Sequence, residues 1–212
     1  MDKADRARPR KERSARAPRH KATAAEIAQP FYQLRILLMG SKPAIWRRLL
    51  VPGSVRLSVL HAIIQEVMGW TNSHLHEFKM GDTSYSDPEF GLQEDDPDVQ
   101  DEFKARLSEV APKEGASFLY EYDFGDGWRH NILVERILPS VPKQRKIAVC
   151  LAGARACPPE DCGGIYGYMD FLEAIRDPSH ERHEELLDWI GGDFDPEAFD
   201  VNLVNESLKG IK

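Results

Sequence analysis

Apolar and polar residues change period several times along this chain, and each change marks an element. YQLRILLM (Tyr32 to Met39) and AIWRRLLV (Ala44 to Val51) are strand-like runs around a Gly40-Ser41-Lys42-Pro43 turn, a hairpin pattern. Alternation is imperfect because Leu37 adjoins Leu38 and Leu49 adjoins Leu50, so at least one of these strands is expected to be covered on both faces. Pro52 and Gly53 end the second run. Leu57, Leu60, Ile63, Ile64, Val67 and Met68 then fall at helical spacing, and Gly69 suits a left-handed C-terminal cap. HLHEFKMGDTSYS predicts a second hairpin about Gly81-Asp82; strand alternation from its first residue puts His74 and His76 on one face.

A third hairpin centres on EYDFGDGWRH (Glu121 to His130), where GDG reverses the chain between two runs rich in β-branched and aromatic residues. The acidic stretch from Pro88 to Glu109 reads mostly as a solvated loop, with a short helix over residues 102 to 110. In VCLAGARACPPEDCGGIYGY, Gly153, Pro158-Pro159 and Gly163-Gly164 argue against a long regular element and for a loop. Three helical segments follow: MDFLEAIRD, HERHEELLDWIG and DVNLVNESLKGI, the last capped by Asp195 or Asp200. The order of elements is that of an α+β fold: a mixed, mainly antiparallel sheet whose hairpins pack on one central helix. It is compatible with a ubiquitin-like grasp, followed by a C-terminal helical segment from about residue 165.

Charge divides the chain. The net charge of −7 combines +6 over residues 1 to 24 with −13 over the rest. A disordered basic tail over residues 1 to 29 is therefore expected ahead of a single α+β domain over 30 to 212. Such a tail is either a solvated arm or a nucleic-acid contact that neutralises phosphates. No apolar run approaches the roughly 20 residues that cross a bilayer, so no membrane segment is expected and a cytoplasmic protein is. Three cysteines, an odd number confined to residues 150 to 162, fit a reducing compartment better than a disulfide framework.

Two sets of residues carry candidate chemistry. Cys150, Cys157 and Cys162 offer three thiolates that His130, His74 or His76 would complete as a tetrahedral zinc site. The spacing lacks a C-x2-C pair, and the weightier reading makes them small buried hydrophobes. The second set needs the hairpins to lie side by side. His74, His76, Asp123, Asp126, Trp128, His130, Glu160 and Asp161 then converge on one pocket, fit for a hard or borderline cation or for acid–base work. Against it, the two aspartates of the turn cap amides, His130 pairs across the hairpin, and Glu160 and Asp161 cap the next helix.

AIWRRLLVP, LHAIIQEVMGWTNSHLHEF, YDFGDGWRH, CLAGARACPPEDCGGIYGY and FDPEAFD with Asn205 occur here in the order of a known family. The chain resembles proteins like the third open reading frame of a root-inducing plasmid (pRiA), often labelled transposon passenger or resolvase-like. The resemblance spans Tyr32 to about Leu208 and implies an α+β fold with no established activity. A serine recombinase needs a nucleophilic serine held among arginines and a helix-turn-helix. Ser14 lies among arginines with no folding pattern around it, so resolvase chemistry is not expected. The leading expectation is a binding or adaptor domain for a protein or peptide, with its enzymatic status open. The alternative is a metal-dependent or acid–base enzyme built on the His, Asp and Cys blocks.

Overall fold

A computed structural model of the chain describes residues 29–139 and 147–211. The expected basic tail lies almost wholly outside them.

Eight strands form one sheet: β1 (Phe31–Leu38), β2 (Trp46–Pro52), β3 (His76–Met80), β4 (Thr83–Ser86), β5 (Val99–Asp101), β6 (Ser117–Tyr122), β7 (Trp128–Leu138) and β8 (Val149–Ala154). Their order is β5-β4-β3-β6-β7-β1-β2-β8. The helices are α1 (Leu57–Met68), α2 (Leu92–Asp95), α3 (Leu107–Val110), α4 (Gly164–Arg176), α5 (His183–Ile190) and α6 (Val201–Ser207). The fold is α+β, with a mixed, mainly antiparallel sheet and C-terminal helices. It departs from a ubiquitin-like grasp in one respect. That topology pairs its first strand in parallel at the centre, whereas β1 here lies antiparallel to β2 and β7, and the parallel pair is β4–β5 at the edge.

All three hairpins form where the turn residues place them. One face of the sheet is the core, built from alternate residues: Leu34, Ile36 and Leu38 of β1, Leu49 and Val51 of β2, Phe118, Tyr120 and Tyr122 of β6, and Ile132 and Val134 of β7. Leu57, Leu60, Ile63, Ile64 and Val67 of α1 belong to the same cluster. Gly69 ends α1 in the left-handed region at φ 86°, and its amide and that of Trp70 both donate to the Gln65 carbonyl. At Leu37–Leu38 and Leu49–Leu50 double coverage does not occur. On the far face Leu37 and Leu50 are only half-buried. Arg48 there forks onto Glu135 at 2.7 and 2.9 Å, and Arg35 and Arg48 lie over the Trp46 ring. Adjacent leucines simply point to opposite sides of the pleat.

Two stretches expected as loops carry regular structure. Within residues 88 to 109, β5 adds an edge strand and delivers Glu102 into the interior, 1% exposed. Within 149 to 168, β8 pairs with β2, and α4 begins as early as Gly164. Glycine hides β8 from pattern reading, yet the strand needs it: a Cβ at Gly153 would stand 2.6 Å from the Phe199 ring and 2.9 Å from the Trp46 carbonyl. Of the two candidate caps, Asp200 serves α6, accepting from the Asn202 and Leu203 amides. Asp195 accepts from the Glu197 amide in the preceding turn.

Candidate functional site

Three connections meet at one end of the sheet: residues 69–75 between α1 and β3, the β6–β7 turn at 123–127, and the loop from β8 to α4. Their backbones are unusual. Four non-glycine residues among those described have positive φ: Asn72 (58°), Asp123 (57°), Arg155 (70°) and Asp161 (60°). Every one lies in these connections. A left-handed conformation costs an L-residue energy, and it persists where the surroundings fix it.

Asp123 is held by its own turn. One carboxylate oxygen accepts from the Gly125 and Asp126 amides at 3.0 and 3.3 Å, and the other lies 3.7 Å from His74 Nε2. Asp161 Oδ1 approaches the same nitrogen at 3.2 Å. His74 Nε2 is buried and hydrogen-bonds to neither carboxylate. One donor atom from each of His74, Asp123 and Asp161 lies within 4.8 Å of the others, a spacing suited to a metal ion.

Asp126 and Glu160 stand beside this trio as braces. Asp126 Oδ2 accepts from the Gly163 amide at 3.2 Å, and a Cβ on Gly164 would stand 2.3 Å from the Asp126 carbonyl. Gly164→Ala, at φ +67°, is therefore expected to cost more than about 2 kcal/mol and to push the loop off the turn. Urea denaturation reads the first effect, and cation titration of the folded variant reads the second. Glu160 accepts from Tyr122 Oη at 2.5 Å, Thr71 Oγ1 at 2.5 Å and the Thr71 amide at 3.0 Å. Trp70 Nε1 donates to the Pro158 carbonyl at 3.0 Å, fastening the same loop to the end of α1.

The remaining candidates lie elsewhere. Strand β3 begins at His76, so His74 precedes the pleat and does not share its face in register. His76 turns inward instead, its Nε2 2.9 Å from Glu102, both side chains no more than 3% exposed. His61 stacks on it at 3.4 Å between ring centroids and bonds Tyr120 Oη and Asn72 Oδ1. Burial, then the neighbouring His76, holds His61 down at about 3, so it is neutral. Trp128 and His130 are core residues of β7. Neither ring nitrogen of His130 has a hydrogen-bond partner among the described residues, and burial holds its pKa down at about 4. The Tyr120 and Trp128 backbones oppose that shift without meeting hydrogen-bond geometry, and Arg47 adds to the depression.

The thiols do not join a metal-ligand group of that kind among the described residues. Burial raises all three, Cys162 to about 12 and Cys157 further, while the Arg47 charge opposes the rise at both Cys150 and Cys157. Shifts in that direction favour the neutral thiol. Pattern reading passed over Arg47, His61 and Glu102. For His61 a signal existed, since it occupies the apolar stripe of α1 between Leu60 and Ile64.

Comparisons with known proteins agree with this architecture. The uncharacterized protein y4hQ of Sinorhizobium fredii is 42% identical over 182 residues, covering 84% of this chain and 91% of the relative. The crystal structure of a protein of unknown function, MM3350 from Methanosarcina mazei Go1, superposes with a TM-score of 0.72 at 37% identity, covering 82% of this chain and 97% of that one. No helix among the described residues is long and apolar enough to cross a membrane. Residues 30–203 match the plasmid pRiA4b ORF-3-like protein family, and the chain belongs to that family.

Proposed function

We propose that this domain binds one divalent cation through the His74 imidazole and the Asp123 and Asp161 carboxylates. The observation that carries the reading is His74 Nε2: buried, without a hydrogen bond, and placed between two carboxylates. One imidazole with two carboxylates suits a borderline ion such as Zn²⁺, Mn²⁺ or Fe²⁺. Two charges from the aspartates neutralise the ion, and three protein ligands leave positions for water or for an oxygen donor of a bound molecule. The family relatives carry no assigned activity, and in this reading the chain is a binding domain whose first ligand is the cation.

Calorimetric titration of chelator-stripped protein with Mn²⁺ and with Zn²⁺ tests it. One ion per chain is expected, with affinity falling at least about tenfold in each of His74→Ala, Asp123→Asn and Asp161→Asn. Saturation at 100 times Kd should stabilise the fold by about 2.7 kcal/mol. Cys157→Ser should bind like the unaltered chain. Stoichiometric zinc that survives His74→Ala but is lost in Cys157→Ser would move the site to the thiols and overturn the assignment.

A further inference from the structure

Three ligands drawn from three separate connections need something to hold those connections in register: the Asp123 amide joins two of them by donating to the Leu75 carbonyl at 2.8 Å, and the loop that carries Asp161 needs its own tie. We infer that Glu160 is the positioning residue of the cation site, acting through a hydrogen-bonded hub it shares with Tyr122, Thr71 and Ser73. The inference rests on the cation-binding reading above.

The geometry is a matter of chain neighbours. Glu160 immediately precedes Asp161, Tyr122 immediately precedes Asp123, and Ser73 immediately precedes His74. These partners are bonded to one another: Tyr122 Oη donates to Glu160 Oε1 at 2.5 Å and accepts from the Ser73 amide at 2.9 Å. Thr71 donates through its amide and its hydroxyl to the second oxygen of Glu160, and its Oγ1 is 2.7 Å from Ser73 Oγ. Each ligand thus hangs one residue from a member of a single network. A carboxylate at position 160 takes every incoming bond as an acceptor, which an amide cannot do at both ends. A displacement of one ligand by about 1 Å is enough to spoil a site of this kind, so the network fixes affinity without touching the ion.

Divalent-ion titration with Mn²⁺ and Zn²⁺ tests this on the full chain. Glu160→Ala is expected to raise Kd about 10- to 100-fold, and Tyr122→Phe to raise it by a smaller factor. Glu160→Gln, which keeps an acceptor for Thr71, should recover part of the loss. Asp200→Ala controls for stability: it removes the α6 cap, which is no part of this network, and should lower the urea midpoint while leaving Kd within twofold. Unchanged affinity in a folded Glu160→Ala chain, with the unaltered chain still binding, overturns the positioning role and leaves the cation site standing. Equal losses in Glu160→Ala and Asp200→Ala would reduce the effect to general destabilisation and overturn it too. An unaltered chain that takes up no ion removes the site and its positioning residue together.

Discussion

Arg47→Met is expected to remove more than about 4 kcal/mol of stability, a large share of the roughly 5–15 kcal/mol that holds a domain folded. Arg47 occupies a core-facing position of β2 and is 3% exposed. Its guanidinium donates to four backbone carbonyls: Val67 at the end of α1, Trp46 on its own strand, and Ala154 and Arg155 where β8 ends, all at 2.8–2.9 Å. The Phe199 ring covers it at 4.6 Å. A hydrogen bond from a charged donor contributes about 1.5–3 kcal/mol, and a buried acceptor left without one costs a comparable amount. Four such bonds do not add fully, but they leave together. A methionine fills the volume and supplies no donor. Lysine supplies one charge without the planar fork, so Arg47→Lys should recover only a part. The urea midpoints of both variants against the unaltered chain check the order. A loss below about 1 kcal/mol for Arg47→Met would mean that water replaces the guanidinium at little cost.

That arginine also shows where sequence reading stops. Hairpins at Gly40–Pro43, Gly81-Asp82 and Gly125–Gly127 were legible because turn chemistry is local, and α1 because six apolar residues keep its period. In AIWRRLLV, Arg47 and Arg48 look alike. One points into the core and the other onto Glu135, and only the position of β8 tells them apart. β8 was illegible for a related reason: its glycine admits Phe199, a contact 46 residues away in sequence that no local pattern encodes. For the site, the structure brings His74, Asp123 and Asp161 within reach of one another, with Asp126 and Glu160 beside them. His76 lies apart from them at the start of β3, and Trp128 and His130 fall on the core face of β7. Alternation was the available signal for that last pair: Trp128, His130, Ile132 and Val134 share one face, and two of them are aliphatic.

The buried His61 and His130 are expected to make the fold sensitive to acid. His61 is held at about 3 and His130 at about 4 in the folded chain, against about 6.5 when unfolded. Depressed values mean that the unfolded chain binds protons first as the pH falls. Their contribution is complete above about pH 6.5 and is lost as the pH drops toward the folded values, at about 1.4 kcal/mol per unit for each histidine. For His130 alone this amounts to a loss on the order of 3 kcal/mol between neutral pH and pH 4. Urea midpoints should therefore fall steeply from pH 7 to pH 4.5. His130→Phe should flatten that dependence by about one proton, because the ring then carries nothing to titrate. Phenylalanine also suits the pocket, since His130 packs against the Trp70 and Tyr120 rings at 5.3 and 5.5 Å and hydrogen-bonds through neither nitrogen. Equal pH slopes for the variant and the unaltered chain would show that the imidazole finds a partner for its proton inside the fold, and that the acid sensitivity arises elsewhere.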